Sequence, residues 1–382
     1  MKTMAFGAKE KILNYYQNHE KNIDIAFFLG GVLVDLLTLS DIDNIYAIIQ
    51  QAVYLAIIAG ILFYDVKSQL NQNALPNNGE KIIVKEGIIE RIWPYRFLVI
   101  HFLLGSLLSI YSIFYVISSS FFTSAIFIFI LVALMFINEF KWIKGEKFNI
   151  RFLLFVICLL SFFLMLTPII FGYVGLVPFL LSLTIVTLLI FWKTSTLRKM
   201  GLSSKLVFRD WALPGHGTII LFLIFYFLGW IPPVPLAANN MGIYHNITKN
   251  ENTYHLFHEK PFWKFWETGD QTFLAVPGDK IYFFAQIFSP GSFSDVVNLH
   301  WYFKDLKRGW VSTDLIPMKI LGGRKGGYRG FSTKQNYQEG KWRISLETLD
   351  KREIGRIYFN VKKSDLNVIT PEEPRKFSEV LL

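Results

Sequence analysis

The hydrophobic positions of this chain follow two different patterns, one on either side of about residue 232. The first pattern is a series of continuous apolar runs, and about 20 such residues suffice to cross the hydrocarbon core of a bilayer as a helix. Two pairs of runs are separated only by short turn signals at 118–120 and 172–173, so the count depends on these turns. We predict an α-helical multi-pass membrane bundle of about seven spans, at approximately 25–39, 42–64, 97–117, 121–137, 152–171, 174–192 and 218–231.

The second pattern begins after Pro232, Pro233 and Pro235, which end the last apolar run because proline lacks a backbone donor and clashes with the preceding turn. From about residue 237, apolar and polar residues alternate with a period of two, which is typical of strands with one buried face. Strands are predicted near 271–276, 280–288, 297–303, 310–316, 328–334, 341–346 and 356–361. They indicate an all-β antiparallel sandwich of immunoglobulin-like size. The predicted inward residues are Val297, Leu299, Trp301, Phe303, Trp342, Ile344, Leu346, Ile357, Phe359 and Val361.

Positive charge alternates between the loops that connect the apolar runs. Lys and Arg are frequent before the first run and after the second, fourth and sixth runs, whereas the three alternate loops contain none. Because cytoplasmic loops accumulate Lys and Arg, we predict a cytoplasmic N-terminus and a C-terminal domain in the periplasm or outside the cell. A polar and charged segment precedes the first run, so we predict a signal anchor there and no cleavable signal peptide.

Composition agrees with a membrane protein and excludes several kinds of site. Hydrophobic residues make up 52% of the 382 residues and charged residues 18%, with a mean hydropathy of +0.37, whereas about 25% of an ordinary soluble protein is charged. The single cysteine, Cys158, lies inside an apolar run, which excludes an intramolecular disulfide framework, a redox CxxC pair and a multi-cysteine zinc site. About half of the net charge of +10 lies in residues 237–382 and favours anionic lipid headgroups or acidic glycans. Nucleic acid is not an expected partner on the outer side of a membrane.

These patterns predict three parts of the chain. A cytoplasmic N-terminal segment and the seven-span membrane domain occupy 1–236, and the extracytoplasmic β-sandwich occupies 237–362. Residues 363–382, with two prolines and several acidic residues, are predicted to form a flexible tail.

Several short motifs in the C-terminal part resemble a bacterial family, domain of unknown function number twenty-nine fourteen. The motifs lie at 231–236, 242–245, 300–302, 322–324, 326–330 and 340–343. The resemblance covers about 231–361, and several spans followed by such a domain are similar to the architecture of typical members. It implies a bacterial envelope protein, which we place in the inner (plasma) membrane, and it implies no activity, cofactor or catalytic residue.

The first candidate for binding is the glycine-rich segment 322–330, which contains Arg324, Tyr328 and Arg329. Backbone amides of such a loop can form an anion nest, and arginine binds a carboxylate or phosphate through two parallel hydrogen bonds. A larger basic and aromatic surface, suited to an acidic sugar polymer, arises if outward residues of nearby strands join the loop, namely His300, Tyr302, Arg343, Arg356 and Tyr358. The alternative is a hairpin connection whose glycines supply positive φ, beside ordinary solvated strand faces.

Three histidines, His245, His255 and His258, follow the last span and raise the question of a metal site. His255 and His258 are three residues apart, but the segment is predicted to be extended, so their side chains point to opposite sides. The sequence contains neither HExxH nor HxxEH, and we predict neither a metal nor a cofactor. Trp263 and Trp266 either reach the lipid headgroups or belong to the sandwich core.

Polar groups inside the predicted spans are few. Asp35 is the only acid well inside a span, and Gln50 and Gln51 on the next helix approach a similar depth. We predict an Asp35–Gln51 hydrogen bond that holds this helical hairpin together. A transport pathway needs several such groups on different helices, so transport is not predicted.

The predicted function is binding of an envelope component, either an acidic glycan, a lipid headgroup or a partner protein, by the extracytoplasmic sandwich, without catalysis. The alternative is a membrane enzyme that acts on a lipid-linked sugar through Asp41 and Asp43, since a DxD pair can bind a divalent cation. The loop around this pair is too short to leave much space for a substrate, and we predict instead that Asp41 or Asp43 caps the second helix. No oligomeric state follows from the sequence.

Overall fold

The computed structural model describes residues 33, 41–74, 96–139, 148–251, 253–323, 326–364 and 377–382. The N-terminal part of these residues is helical. Its elements are α1 (Ile45–Ala74), α2 (Arg96–Ile117), α3 (Phe121–Glu139), α4 (Phe148–Phe171), α5 (Leu176–Lys199), α6 (Ser204–Val207), a π-helical turn (Phe208–Ala212) and α7 (Leu213–Phe227). The π-helical turn stands just before Pro214, whose ring disfavours the preceding α-helical hydrogen bond.

Five helical stretches in the described residues are long and apolar enough to cross a membrane, namely Ile45–Val66, Val99–Ile117, Asn149–Phe171, Leu176–Lys199 and Ser204–Phe227. A shorter apolar stretch, Thr123–Met135, lies within α3. Large apolar side chains on these helices face outward, such as Phe102 and Phe129 with more than 70% of their surface exposed, as lipid-facing residues do. The structure therefore indicates a membrane protein.

The predicted count of seven spans is not confirmed. The five stretches correspond to the second, third, fifth, sixth and seventh predicted spans, and the fourth corresponds to the shorter apolar stretch in α3. The first predicted span, 25–39, lies outside the described residues except for residue 33.

Both short turns on which the prediction depends are present. α2 ends at Ile117 and α3 begins at Phe121, whereas α4 ends at Phe171 and α5 begins at Leu176. The second turn requires a glycine, because Gly172 has a φ of +74° and an added Cβ would lie 2.7 Å from the carbonyl oxygen of Ser292.

The C-terminal part of the described residues consists of strands. They are β1 (Ala237–Tyr244), β2 (Asn246–Asn250), β3 (Thr253–His258), β4 (Thr272–Ala275), β5 (Ile281–Phe288), β6 (Ser294–Asp305), β7 (Gly309–Leu321), β8 (Tyr328–Lys334), β9 (Gly340–Thr348), β10 (Glu353–Lys363) and β11 (Ser378–Leu381). They form a five-stranded sheet in the order β4-β10-β9-β6-β7 and two three-stranded sheets in the orders β1-β5-β8 and β11-β3-β2. The pairs are antiparallel except for β4 with β10.

The main core lies between the five-stranded sheet and the β1-β5-β8 sheet. It contains the tryptophans Trp301 and Trp342 from one sheet and Phe283 from the other, all at most 2% exposed. Every residue that the alternation predicts to face inward belongs to this core, with Phe303 packed at its edge. The inward faces of β6, β9 and β10 are thus confirmed.

A third layer distinguishes the domain from the predicted two-sheet sandwich. The β11-β3-β2 sheet packs against the other face of β5, where Phe284 contacts Tyr244, Tyr254 and Leu256. β5 is consequently apolar on both faces, as strands buried on both sides are. The strand pattern at 280–288 predicts β5 itself, whereas β2 and β3, which cover its second face, are not among the predicted strands.

The predicted flexible tail is wrong for the last residues of the chain. Ser378–Leu381 form β11, which pairs antiparallel with β3, and the backbone of Leu382 exchanges hydrogen bonds with that of Tyr254. These residues are held because they satisfy the free edge of β3. Residues 365–376 lie outside the described part of the chain.

The chain divides into two compact units. The first takes in residues up to 113, 128–163 and 184–221, and the second takes in 114–127, 164–183 and 222–382. The second unit therefore contains the strands together with one end each of α2, α3, α4, α5 and α7.

Buried polar contacts join these helix ends to the strands within the second unit. Asp350, in the turn between β9 and β10, accepts a hydrogen bond from the hydroxyl of Tyr226 on α7 and lies 2.8 Å from Nε of Arg352. The guanidinium carbon of Arg352 lies 4.8 Å from the ring centre of Tyr226. Burial alone would raise the pKa of Asp350, but Arg352 and hydrogen bonds from Thr348 and Tyr226 hold it below its ordinary value.

Further contacts connect the other helix ends to the same strands. The hydroxyl of Ser120, before α3, donates to the carboxylate of Glu353, and both residues are buried. Beyond α4, the backbone N–H of Val174 donates to Asp295 at 2.9 Å, and the carbonyl of Gly172 accepts from the backbone of Ser294. The strands are thus attached to these helix ends at several separate points.

We expect Asp350→Ala to lower the free energy of unfolding of the full-length protein in detergent micelles by about 3 kcal/mol, because it leaves the buried Arg352 without its carboxylate. The paired variant Asp350→Ala/Arg352→Met should recover most of this loss, since it removes both charges. Asp305→Ala, which removes an acid from the β6–β7 turn, is the control and should lower stability clearly less than Asp350→Ala, because it leaves no buried charge without a partner. Chemical denaturation measures all three, and equal stability of Asp350→Ala and Asp305→Ala would contradict the assignment.

Candidate functional site

Five of the predicted binding residues meet on the outer face of the five-stranded sheet, the face turned away from the main core, namely His300, Tyr302, Arg343, Arg356 and Tyr358. His300 and Tyr302 alternate with the buried Trp301 on β6, and Arg343 occupies the neighbouring position on β9. The register pairs Arg343 with Tyr302 on one side and with Tyr358 of β10 on the other. The period of two therefore predicts this face correctly, because along each strand an outward polar residue follows every inward apolar residue.

Arg343 is held among aromatic rings, and we call Tyr302, Trp310, Arg343 and Tyr358 the platform. The guanidinium carbon of Arg343 lies 3.9 Å from the ring centre of Tyr302 and 5.1 Å from that of Trp310. The rings of Trp310 and Tyr358 have centres 5.6 Å apart. Nε of Arg343 is buried and has no hydrogen-bond partner in the described part of the chain. A cation that rings hold in place is preorganised to bind an anion.

His300 connects the platform to a polar network. Its Nε2 lies 2.7 Å from the hydroxyl of Ser312, and its Nδ1 lies 2.6 Å from the hydroxyl of Tyr302. Glu347 lies 3.4 Å from the same tyrosine hydroxyl and 3.6 Å from Nδ1. Burial, with the nearby Glu347, raises the pKa of Tyr302, so this hydroxyl keeps its proton and remains a donor.

The network contains a hydroxyl, an imidazole and a carboxylate. These are the groups that act in a catalytic triad as the nucleophile, the general base and the acid that orients the base. Here both imidazole nitrogens of His300 already have a hydroxyl neighbour, Ser312 at Nε2 and Tyr302 at Nδ1. Tyr302 thus occupies the nitrogen to which the carboxylate of a catalytic triad would bond. This arrangement orients the rings of the platform.

Ser312 reaches His300 because a bulge between Trp301 and Tyr302 leaves Thr313 without an opposite residue on β6.

A series of contacts leads from the platform to a helix end of the same unit. The hydroxyl of Tyr358 accepts a hydrogen bond from Arg356 at 3.0 Å, and Arg356 forms an ion pair with Glu353. Glu353 in turn accepts from Ser120, just before α3. Ser120 and Trp310 are not among the predicted site residues. Only the tertiary structure brings Ser120 to Glu353 and Trp310 to Arg343.

The glycine-rich segment does not join this face. Arg324 lies outside the described residues, and β8 places Tyr328 and Arg329 in the β1-β5-β8 sheet. Tyr328 packs against the main core, and Arg329 pairs with Gln286 on the face of that sheet turned away from the platform. Gly326 and Gly327 have φ values above +80°, so these glycines supply positive φ as the alternative describes. The segment is not a hairpin, because it connects β7 to β8 and these strands lie in different sheets.

The histidines after the last span lie in different surroundings. His255 pairs with Glu379 of β11, whereas His258, on the other side of β3, is buried. The ring of His245 stacks on Phe273 with centres 4.1 Å apart, and its Nε2 lies 3.6 Å from Asp270. In the described part of the chain, no group of three or more His, Cys, Asp or Glu side chains is placed to hold a metal ion.

Asp270 closes a surface loop, which we call the aromatic loop and which covers residues 259–270. Its two carboxylate oxygens each lie 3.1 Å from the backbone nitrogen of Glu259, and its own N–H donates to the carbonyl of Ile243. Of the two alternatives for Trp263 and Trp266, membership of the sandwich core is wrong, because both residues are more than half exposed. Phe262 and Phe265, which are not among the predicted site residues, are 94% and 84% exposed.

The intramembrane glutamines and the aspartates before α1 belong to the first unit, whereas the platform belongs to the second. Gln51 is buried, Gln50 donates to the hydroxyl of Tyr54, and Asp35 lies outside the described residues, so its predicted bond is not described. The predicted capping role of Asp41 or Asp43 is wrong. Asn44 caps α1, because its Oδ1 accepts from the backbone N–H of Tyr46 at 2.9 Å.

Comparison with known proteins identifies one family. Residues 294–361 match the model of a family described as a protein of unknown function (DUF2914). This span contains the whole platform and His300, and it confirms the resemblance found in the sequence for β6 to β10. A search of the curated proteins finds no match for this chain.

Two solved structures show a distant likeness. An immunoglobulin-like protein from Pseudomonas aeruginosa is similar over 34% of this chain and 98% of its own, with 13% identity and a TM-score of 0.20. A β-glucosidase involved in saponin metabolism from intestinal bacteria is similar over 35% of this chain, with 9% identity and a TM-score of 0.21. The match spans only 17% of that enzyme.

The burial of Asp270 should make the stability of the protein depend on pH. Burial raises the pKa of this carboxyl from 3.8 to about 6, so the stabilising effect of its proton is complete below pH 3.8 and is lost as the pH rises through 6. Asparagine does not ionise. We therefore expect the stability of Asp270→Asn relative to the natural chain to increase between pH 4 and pH 7.5, by at most about 3 kcal/mol.

Thermal unfolding of the full-length protein at a series of pH values measures this difference. Asp305→Asn is the control of opposite sign, because hydrogen bonds from the backbone of Arg308 and Lys307 lower the pKa of Asp305. Its relative stability should fall only as the pH rises towards 3.8 and should stay constant between pH 4 and pH 7.5. A pH-independent difference for Asp270→Asn would contradict the burial of an ionisable group at the base of the aromatic loop.

Proposed function

We propose that this chain is a multi-pass protein of the bacterial inner membrane whose β domain lies outside the cytoplasm and binds an acidic envelope glycan without catalysis. The observation that carries the proposal is the platform, in which Arg343 lies 3.9 Å from the ring of Tyr302 and 5.1 Å from that of Trp310. A guanidinium group recognises carboxylates by paired hydrogen bonds, and ring faces beside it can stack on the apolar faces of sugars.

The position of the platform favours a glycan over the headgroups of the chain's own membrane. Ser294, at the start of β6, bonds to Gly172 at a helix end, and Tyr302 is eight residues further along the strand. At about 3.3 Å per residue, the platform lies up to about 27 Å from that contact. Arg343 therefore lies away from the contact at Gly172, where a polymer in the outer compartment could bind it.

The aromatic loop supports a binding role for the same end of the domain. β1 begins at Ala237, ten residues after the end of α7. Near the far end of β1, Ile243 forms an isolated β-bridge with Gly269 of the aromatic loop. Six residues of strand place the loop about 20 Å along β1 from its start. Four aromatic side chains exposed together are unusual for a surface that meets only water.

The orientation of the domain can be tested with reporters fused after Leu382. We expect a periplasm-dependent reporter to be active and a cytoplasm-dependent reporter to be inactive, because the loop charges predict a cytoplasmic N-terminus and an odd number of spans. Fusions in the loop after α3 are the internal control and should give the reverse result. An inactive periplasmic reporter on a well-expressed fusion would contradict the proposed orientation.

Binding can be tested with the full-length protein in nanodiscs and polygalacturonate as an acidic probe, with neutral dextran for comparison. We expect Arg343→Gln to weaken binding of polygalacturonate by about 10-fold to 100-fold, which corresponds to a charged hydrogen bond of about 1.5–3 kcal/mol. Lys249→Gln removes an equal charge from β2, on another sheet, and should leave binding unchanged. Equal losses in the two variants, or equal binding of dextran, would contradict recognition at the platform.

A further inference from the structure

The first of the two units contains a groove that the proposed function does not use. It has a volume of about 260 Å³ and lies among α1, α4, α5 and the residues before α7. This volume is below the range of about 300–1,000 Å³ that is usual for drug-sized ligands, so the groove suits one narrow chain. Its lining is almost entirely apolar.

The groove arises from side-chain size on facing helices. Ala52, Ala56 and Ala59 lie on one face of α1, four and three residues apart, and Phe152 and Phe155 face the same space from α4. Alanines often allow two helices to pack closely, but only 22% of the apolar stretch of α1 is buried. The space beside the alanines therefore stays open between the helices.

The length of the groove corresponds to one leaflet of a bilayer. Its lining extends from Ala52 to Phe63 on α1 and from Phe152 to Phe163 on α4, so the last residue lies eleven positions after the first in each case. At 1.5 Å per residue this is about 16 Å. The hydrocarbon core of a bilayer is about 30 Å thick, so each leaflet contributes about 15 Å.

One end of the groove carries a positive charge. Lys193 on α5 is the charged residue of the lining, and its ammonium nitrogen lies 4.4 Å from the ring centre of Phe63 and 4.6 Å from that of Trp192. Lysine and tryptophan are typical of the level at which lipid headgroups lie. An anion at this end would meet a cation, and an alkyl chain attached to it would follow the apolar walls.

We propose that the groove binds an acyl chain of an anionic phospholipid, with the lipid phosphate at Lys193 and the chain between the alanines of α1 and the phenylalanines of α4. The apolar length, the open side and the single cation at one end together match a lipid of the surrounding bilayer. This site is separate from the platform, and its test does not depend on the proposed function.

The test uses the full-length protein from nanodiscs that contain equal amounts of phosphatidylglycerol and phosphatidylcholine, transferred to detergent and analysed by native mass spectrometry. We expect the natural chain to retain phosphatidylglycerol over phosphatidylcholine by about 10-fold, as a favourable ion pair in apolar surroundings allows. Lys193→Gln should reduce this preference to less than about 2-fold. Lys199→Gln, which removes an exposed charge further along the same helix, should preserve it.

Filling the groove tests the acyl-chain part of the proposal. Ala56→Phe should lower the retained amount of both lipids by about 5-fold or more, and the smaller Ala59→Leu should act in the same direction. Val53→Phe adds the same ring to an outward position of α1 and should leave retention unchanged. The proposal is overturned if the natural chain retains no lipid, if Lys193→Gln and Lys199→Gln behave alike, or if Ala56→Phe retains as much lipid as Val53→Phe.

Discussion

The rest of the structure depends on the ion pair between the buried Arg352 and the partly exposed Asp350 in the β9–β10 turn. Tyr226 donates to the aspartate, and the guanidinium lies over the ring of the same tyrosine, so one helix residue contacts both charges. Asp350 and Arg352 both belong to the β9–β10 turn, so their ion pair is local, and the contacts of both residues with Tyr226 hold this turn against the end of α7. The strands are therefore held at the helix ends by specific contacts and not only by the chain connection.

This attachment determines where the platform lies. β6, β9 and β10 each contact a helix end near one terminus, through Asp295, the β9–β10 turn and Glu353, and carry Tyr302, Arg343 and Tyr358 along their length. The contacts from Ser120 through Glu353 and Arg356 to Tyr358 are continuous. A ligand at the platform would therefore contact side chains that are linked to the end of a helix.

Local periodicity predicts much of the fold but not its layers. The alternation in 297–303 is visible because one face of β6 is buried in the core and the other is polar. β5 is covered on both faces, and the strands that cover its second face are short and mostly polar, such as β2 with Ile247 as its one buried residue. β11 gains its order from hydrogen bonds to β3, a partner about 120 residues away, which local sequence does not indicate.

By itself, the sequence determined that long apolar helices precede a β domain, that β6, β9 and β10 turn named residues inward, and that a basic and aromatic set faces outward. These properties follow from composition and from periods of a few residues. Only the tertiary structure decided which outward residues meet, since strand order and register join positions distant in sequence. It brought Trp310 to Arg343 and placed Arg329 on a face that points the other way, because β8 pairs with β5 and not with the five-stranded sheet.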